Sequence, residues 1–171
     1  MIEREYAKAL WELALEENKS ELFRDYFAAT KACLKNNDFI SIMTSPIIDK
    51  AEKKKIIKKV LNKFDETFIN FLYVLIDHNR FLMLDDIGHQ YRKYYRVSKN
   101  IIVVDVYSSK ELKEKQLKDL KDALEQKYEG KTIEMKFTIV PELIGGVRLV
   151  TNGESIDLNV KNSLDRLKEA M

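Results

Sequence analysis

Pro141-Glu-Leu-Ile-Gly-Gly-Val-Arg-Leu-Val-Thr-Asn-Gly-Glu-Ser-Ile-Asp157 carries four of the five glycines and prolines that follow residue 100; the fifth is Gly130. Within it, Val147 and Leu149 alternate with Arg148 and Val150, the period of a half-buried strand. Asn152-Gly153 suits a type I′ hairpin, whose two central residues both need φ > 0. Gly145-Gly146 lets the backbone bend or pack closely where a Cβ would clash. The stretch therefore reads as strand, tight turn, strand.

Working outward, residues 132–139 place Ile133, Met135, Phe137 and Ile139 on one side of a strand and Thr132, Glu134, Lys136 and Thr138 on the other. Ile101 to Tyr107 is β-branched and apolar on both faces, as in a buried strand. Between these strands the spacing predicts a helix from Lys110 to Tyr128, capped by Ser109, with Leu117, Leu120, Leu124 and Tyr128 inward. A last helix is expected over Asn159 to Ala170, with Val160, Leu164 and Leu167 at helical spacing.

Residues 1–99 differ in kind. They hold one proline, Pro46, and one glycine, Gly88, amid dense Leu, Ala, Lys and Glu, a composition that favours helix throughout. Six helices are predicted: Ile2–Glu17, Ser20–Lys35 with Ser20 as cap, Asp38–Met43, Asp49–Phe64, Glu66–Asp77 and Leu82–Ser98. The expected fold is α plus α/β. A six-helix N-terminal bundle over 1–99 is followed by a small α/β domain with a mixed sheet over 100–171, the boundary lying near Val97–Asn100.

The first and fifth helices carry more apolar circumference than a bundle of this size readily hides. Such surplus either lies in the core or receives an amphipathic helix from a partner; the pattern leaves both open. The fourth helix is lysine-rich between Lys50 and Lys63, which suits either a solvated face or phosphate and anionic lipid. Tyr91 to Arg96 interleaves aromatics with cations, as a nucleic-acid surface does, or packs its tyrosines inward.

Most catalytic chemistry is excluded. Hydrophobic residues make up 45%, charged residues 34%, and the net charge is only +2, so bulk polycation behaviour is absent. Cys33 is the sole cysteine, which rules out an intrachain disulfide and a cysteine zinc site; it is expected to be a small buried apolar residue. Gly130-Lys131-Thr132 resembles the end of a phosphate-binding loop, but position 125 is Glu where a glycine is needed. Its helix-to-strand order also opposes the strand-loop-helix order that aims N–H groups at phosphate. His78 and His89 form no metal motif. Asp85-Asp86 reads as helix-surface charge. No apolar run approaches the roughly 20 residues of a membrane span, and the N-terminus lacks a signal-peptide core. A soluble intracellular protein of bacterial style is expected, without cofactor or metal.

Several of these segments together resemble the δ-subunit family of the F-type ATP synthase, which includes the mitochondrial oligomycin-sensitivity protein. They are Tyr6-Ala-Lys-Ala-Leu10 with Trp11-Glu-Leu-Ala14, His78-Asn79-Arg80-Phe81, and Val106-Tyr-Ser-Ser-Lys-Glu-Leu112 followed by Gln116. Leu143-Ile-Gly-Gly-Val-Arg-Leu149, with Gly153 and Ile156-Asp157, completes the set and is the most specific; Gly145, Gly146, Gly153 and Asp157 are its signature positions. Leu158-Asn159 departs from the family's usual small residue and serine, although Asn also caps. The resemblance implies a non-catalytic stator subunit. Its N-terminal domain holds the N-terminal helix of an α subunit, between the first and fifth helices. Its C-terminal domain meets the b subunits of the peripheral stalk. Matched positions for the α contact are Tyr6, Ala9, Leu10, Leu13, Phe71, Val74, Leu75 and His78. The family's setting is the cytoplasmic face of the bacterial membrane, peripheral, resisting rotor torque during proton-driven ATP synthesis. Trp11, on the first helix, is expected to report occupancy by fluorescence. The rival reading is a nucleic-acid or anionic-surface module using the Lys50–Lys63 helix.

Overall fold

The computed structural model describes residues 1–143, 146–151 and 154–158. Helices α1 (Ile2–Glu16), α2 (Ser20–Leu34), α3 (Asn37–Thr44), α4 (Lys50–Val60), α5 (Glu66–Asp77) and α6 (Leu84–Ser98) come first, with a 3-10 turn at Phe81–Met83 leading into α6. Strand β1 (Ile101–Ser108), helix α7 (Glu114–Lys127) and strands β2 (Thr132–Ile139), β3 (Val147–Thr151) and β4 (Glu154–Leu158) follow. The predicted helix over Asn159–Ala170 lies outside the described residues, as do Gly145, Asn152 and Gly153.

Short polar side chains start α3, α4 and α5 by accepting their first free N–H groups. Asn36 accepts from Phe39 N–H at 3.0 Å, Asp49 from Lys50 N–H at 2.8 Å and Asp65 from Thr67 N–H at 3.0 Å. Ser20, expected to cap α2, is instead its first residue and makes no cap bond. Asparagine, not glycine, marks three helix ends: Asn18, Asn79 and Asn100 have φ of 56°, 55° and 51°. Asn tolerates this left-handed conformation better than most residues. The reversals after α1 and α5 close with Lys19 N–H on the Ala14 carbonyl at 2.8 Å and Arg80 N–H on the Leu75 carbonyl at 2.7 Å.

Helix α4 was expected to reach Phe64 but ends at Val60. Tertiary packing overrides the periodicity there: the Phe64 ring stacks on Tyr26 with centroids 4.1 Å apart, and the chain turns to place it. The helical core is aromatic. Phe27 meets Phe68 at 5.1 Å and Tyr91 at 5.2 Å. Gly88 of α6 faces this cluster; a Cβ there would lie 2.8 Å from Phe27 Cδ1, so glycine permits the approach. Cys33 is half-buried, not fully buried as expected.

The chain divides into two compact units, Met1–Tyr95 and Arg96–Met171. The division falls inside α6, ahead of the boundary predicted from sequence. Arg96 already belongs with the sheet: its guanidinium makes a fork of hydrogen bonds to Glu134 at 3.2 and 3.0 Å. The sheet is mixed, in the order β2-β1-β3-β4. β1 runs parallel to β2 and antiparallel to β3, and β3 is antiparallel to β4 with Thr151 opposite Glu154. Ile102, Val104, Val106 and Leu149 form its core with Leu120 and Leu124 of α7.

Three expectations shift in this unit. β1 buries only alternate residues, because α7 supplies one apolar cover and Asp105 lies on the other face. α7 starts at Glu114, not Lys110. Ser109 does not cap it; the Gln116 side chain accepts the Lys113 N–H at 3.0 Å, while Ser108 Oγ donates to the Lys110 carbonyl at 2.7 Å. Along β2, Ile133 and Met135 join the core, whereas Phe137 and Ile139 remain 49% and 51% exposed.

Candidate functional site

Helices α1 and α5 run alongside each other in opposite senses, and polar contacts tie both ends of the pair. At one end, Arg80 Nη1 donates to the Tyr6 hydroxyl at 2.8 Å, and its guanidinium lies 5.5 Å from the Tyr6 ring centroid. The His78-Asn79-Arg80 corner exists to make this reach: Asn79 reverses the chain, and Arg80 turns back toward α1. At the other end, Thr67 Oγ1 donates to Glu17 Oε1 at 2.9 Å. Lys19 Nζ bridges Glu17 at 2.7 Å and Asp65 at 2.8 Å.

Electrostatics reinforce the second tie. Lys19 holds the Asp65 carboxyl below its ordinary pKa, and Lys19 with Thr67 does the same for Glu17. Asp65 and Glu17 in turn push the Lys19 ammonium up. These groups are largely exposed, so screening by water and salt keeps the tie modest.

Between the tied ends lies an apolar seam. Tyr6 meets Phe71 edge-on, with centroids 6.5 Å apart. Leu13 on α1 is 44% exposed and Val74 on α5 is 42% exposed. Ala9 and His78 are exposed as well, and Tyr6 and Phe71 are half-buried. Helical spacing puts Tyr6, Ala9 and Leu13 on one edge of α1, and Phe71, Val74 and His78 on one edge of α5. Two of the eight sequence-assigned positions do not belong to this surface. Leu10 is 1% and Leu75 0% exposed, so both are core residues beneath the seam and offer nothing to a partner. Their spacing puts them in the right stripe, but the stripe's inner edge faces the interior of the helical unit.

Trp11 is buried on the side of α1 away from these residues. It packs on Tyr91 at 5.4 Å and on Tyr94 and Tyr95 at 6.5 Å. It therefore reports on the α1–α6 contact and reads the seam only indirectly. The rings of the Tyr91–Arg96 cluster likewise pack inward, while Lys93 is exposed: Tyr91 is fully buried, with its hydroxyl donating to the Ser20 carbonyl at 3.0 Å. Burial raises its pKa. Arg24 donates to the Tyr95 hydroxyl at 2.9 Å and covers its ring at 4.8 Å. These rings are used up by packing and do not form a base-stacking platform.

On α4, Lys53 is buried, and Lys54 pairs with Asp77 at 2.7 Å. Lys55, Lys58 and Lys59 remain exposed, as does Lys63 just beyond the helix. Gly130, with φ 72°, turns the chain from α7 into β2, the order that disfavours phosphate binding. Among the described residues no cluster of acidic, histidine or cysteine side chains could hold a metal, and no helix is long and apolar enough to cross a membrane. Of the signature positions, Gly146 has φ 99°, which requires glycine, and Asp157 pairs with Arg148 in the β3–β4 ladder.

Comparison with known proteins agrees along the whole chain. The family described as ATP synthase delta (OSCP) subunit matches residues 2–171. The ATP synthase subunit delta of Acholeplasma laidlawii (strain PG-8A) is 33% identical over 164 residues, spanning 95% of each chain. That of Clostridioides difficile (strain 630) is 32% identical over 174 residues, covering 100% of this chain and 96% of its own. A chain in the cryo-EM structure of the Toxoplasma gondii mitochondrial ATP synthase hexamer shares the fold, with TM-score 0.73 and 22% identity over 99% of this chain and 97% of that one. The chain is a member of the ATP synthase delta (OSCP) subunit family.

Proposed function

We propose that the α1–α5 seam holds the apolar face of the N-terminal helix of an ATP synthase α subunit. The family makes the chain a non-catalytic, structural subunit of the synthase, peripheral to the membrane as part of that complex. Within it, the six N-terminal helices act as one bundle at the head, and residues 96–171 meet the b subunits of the peripheral stalk. The complex sits on the cytoplasmic face of a bacterial membrane.

The observation that carries this reading is the seam itself. Leu13 and Val74 stay uncovered on two helices whose ends are held by Arg80–Tyr6 and Lys19–Asp65. Helix α1 has 15 residues, about 22 Å at 1.5 Å per residue, long enough to flank some four turns of a partner helix. A pre-tied seam loses little freedom on binding, so less of the contact energy is lost to ordering. The exposed Phe137 and Ile139 on β2 support a second apolar contact, for the stalk.

The role follows mechanically. Rotation of the central shaft would carry the head with it unless the head were tied to the membrane sector. A tie needs slow dissociation, and related complexes differ in affinity mainly through the off-rate. Apolar anchors in a desolvated seam provide it.

The test is calorimetric titration with a peptide copying the N-terminal segment of the cognate α subunit. One-to-one binding that persists at high salt and is lost in Val74→Asp, with the helical circular-dichroism signal retained, is expected. Binding that falls steeply with salt, and is lost in Lys59→Glu instead, would replace the seam by the α4 lysines.

A further inference from the structure

A cavity of about 540 Å³ opens at the corner between α3 and α4, and none of the seam residues lines it. Apolar residues, among them Met43, Ile48, Ile76, Phe81 and Leu82, make up half of its lining; Asp49 and Lys50 are exposed polar members and Lys53 is the buried one. Lys53 is 6% exposed, and its Nζ donates to the Ser45 carbonyl at 2.7 Å. An ammonium has three donors and carries a full charge; a single neutral acceptor leaves most of that capacity unmet.

The nearby acids are committed elsewhere. Asp77 takes Lys54 on its carboxylate and Lys50 on its backbone carbonyl, both at 2.7 Å. Asp49 accepts the Lys50 N–H at the start of α4, where the helix dipole also favours its charge. Removing a charge from water without a counter-ion is costly, and a well-placed opposite charge offsets that cost. A cavity of this size, with an apolar half and a buried ammonium among its polar groups, can take a small ligand that has a tail and an anionic head.

We propose that the α3–α4 cavity binds a small amphipathic monocarboxylate, its carboxylate on the Lys53 ammonium and its hydrocarbon tail against Met43, Ile48, Phe81 and Leu82. The charge-assisted hydrogen bond sets the headgroup, and the apolar wall selects a tail over a bare inorganic anion. The site shares no residue with the proposed α-subunit contact, so either reading can fail alone.

The test titrates the full chain with octanoate and, separately, octanol, below their aggregation concentrations, by calorimetry and by amide chemical shifts. Saturable one-to-one octanoate binding is expected, about tenfold or more tighter than octanol, a preference of the size one charged hydrogen bond supplies. The shifts should map to Met43–Lys53 and Asn79–Leu82. Lys53→Met should erase the preference while circular dichroism stays unchanged, and Lys58→Met, on the exposed side of α4, should keep it. No saturable binding, equal binding of octanol, or an octanoate preference that survives in Lys53→Met would each overturn the proposal. If Lys53→Met fails to fold, octanoate and octanol on the unaltered chain decide the matter.

Discussion

Helix α5 has more apolar residues than a core-facing stripe needs, and α4 has more lysines than a solvated face needs. The structure disposes of the two surpluses differently. On α5, Phe68, Ile69, Leu72, Leu75 and Ile76 are buried, and the remainder collects on one edge as Phe71 and Val74. On α4 the surplus is divided: Lys53 goes inside, Lys54 and Lys50 are taken by Asp77, and the rest face water. An apolar excess left on a tied helix pair is surface that another protein can cover. A charge excess is first consumed by whatever acids and carbonyls lie within reach, and only its remainder is available to solvent or ligands. Surplus of either kind is visible in a helical wheel; its fate is not.

Adjacent residues on α5 test that contrast most sharply. Leu75→Ala should cost about 2–5 kcal/mol of folding stability, the range for a large-to-small change in a packed core, measured by chemical denaturation of the full chain. A near-neutral result would mean the seam's floor is not core. Gly88→Ala sets helix propensity, worth about 1 kcal/mol in favour of Ala, against overpacking of about 1–3 kcal/mol. Phe27 is held by Phe68 and Tyr91 and has little room to move, so a net loss of about 1 kcal/mol is expected. A raised melting temperature would contradict the close α2–α6 approach.

Val74→Asp should change stability by no more than about 0.5 kcal/mol, as exposed sites generally do. It should nonetheless weaken the α peptide by about 2 kcal/mol or more, as loss of an interface anchor does. Unfolding of this variant would place Val74 in the core after all.

The smallest effect concerns the tie at Lys19. The Asp65 and Glu17 pKa values are lowered on folding. Their contribution is therefore present above the ordinary carboxylate range and is lost as the pH falls through the lowered values. Lys19→Met should then be slightly less stable than the parent at neutral pH, with the gap closing on acidification and in high salt. A gap that persists at pH 2 would show that Lys19 acts through packing of its stem instead.

Much of this was legible in local pattern. The limits of α5 appear at Glu66 and Asp77 as read, because Asp65 caps one end and Asn79 reverses the other within a few residues. The asparagine stops at Asn18, Asn79 and Asn100 are open to the same local reading, since Asn tolerates φ > 0. The strand alternation of 132–139 is real, yet which of its apolar residues are covered depends on α7 and β1, far away in sequence. The early end of α4 was invisible for the same reason: Tyr26 and Phe64 are separated by two whole helices, α3 and α4, but stack face to face.

For the site, sequence resemblance assigned eight positions to one surface, and the fold leaves six of them accessible. A 3.6-residue period identifies a stripe but not where its inner edge meets other helices, so Leu10 and Leu75 could not be told from Leu13 and Val74 by spacing. The amino-acid sequence by itself determined the helical N-terminal part, the strand-rich C-terminal part, the absence of a cysteine framework and, through its motifs, the family. Tertiary structure alone decided which apolar residues stay uncovered, that Trp11 and the tyrosines of α6 pack on each other, and that Lys53 is buried against the Ser45 carbonyl. The reason is physical: propensity and periodicity act over a few residues, whereas burial and charge pairing are settled by neighbours that only folding brings together.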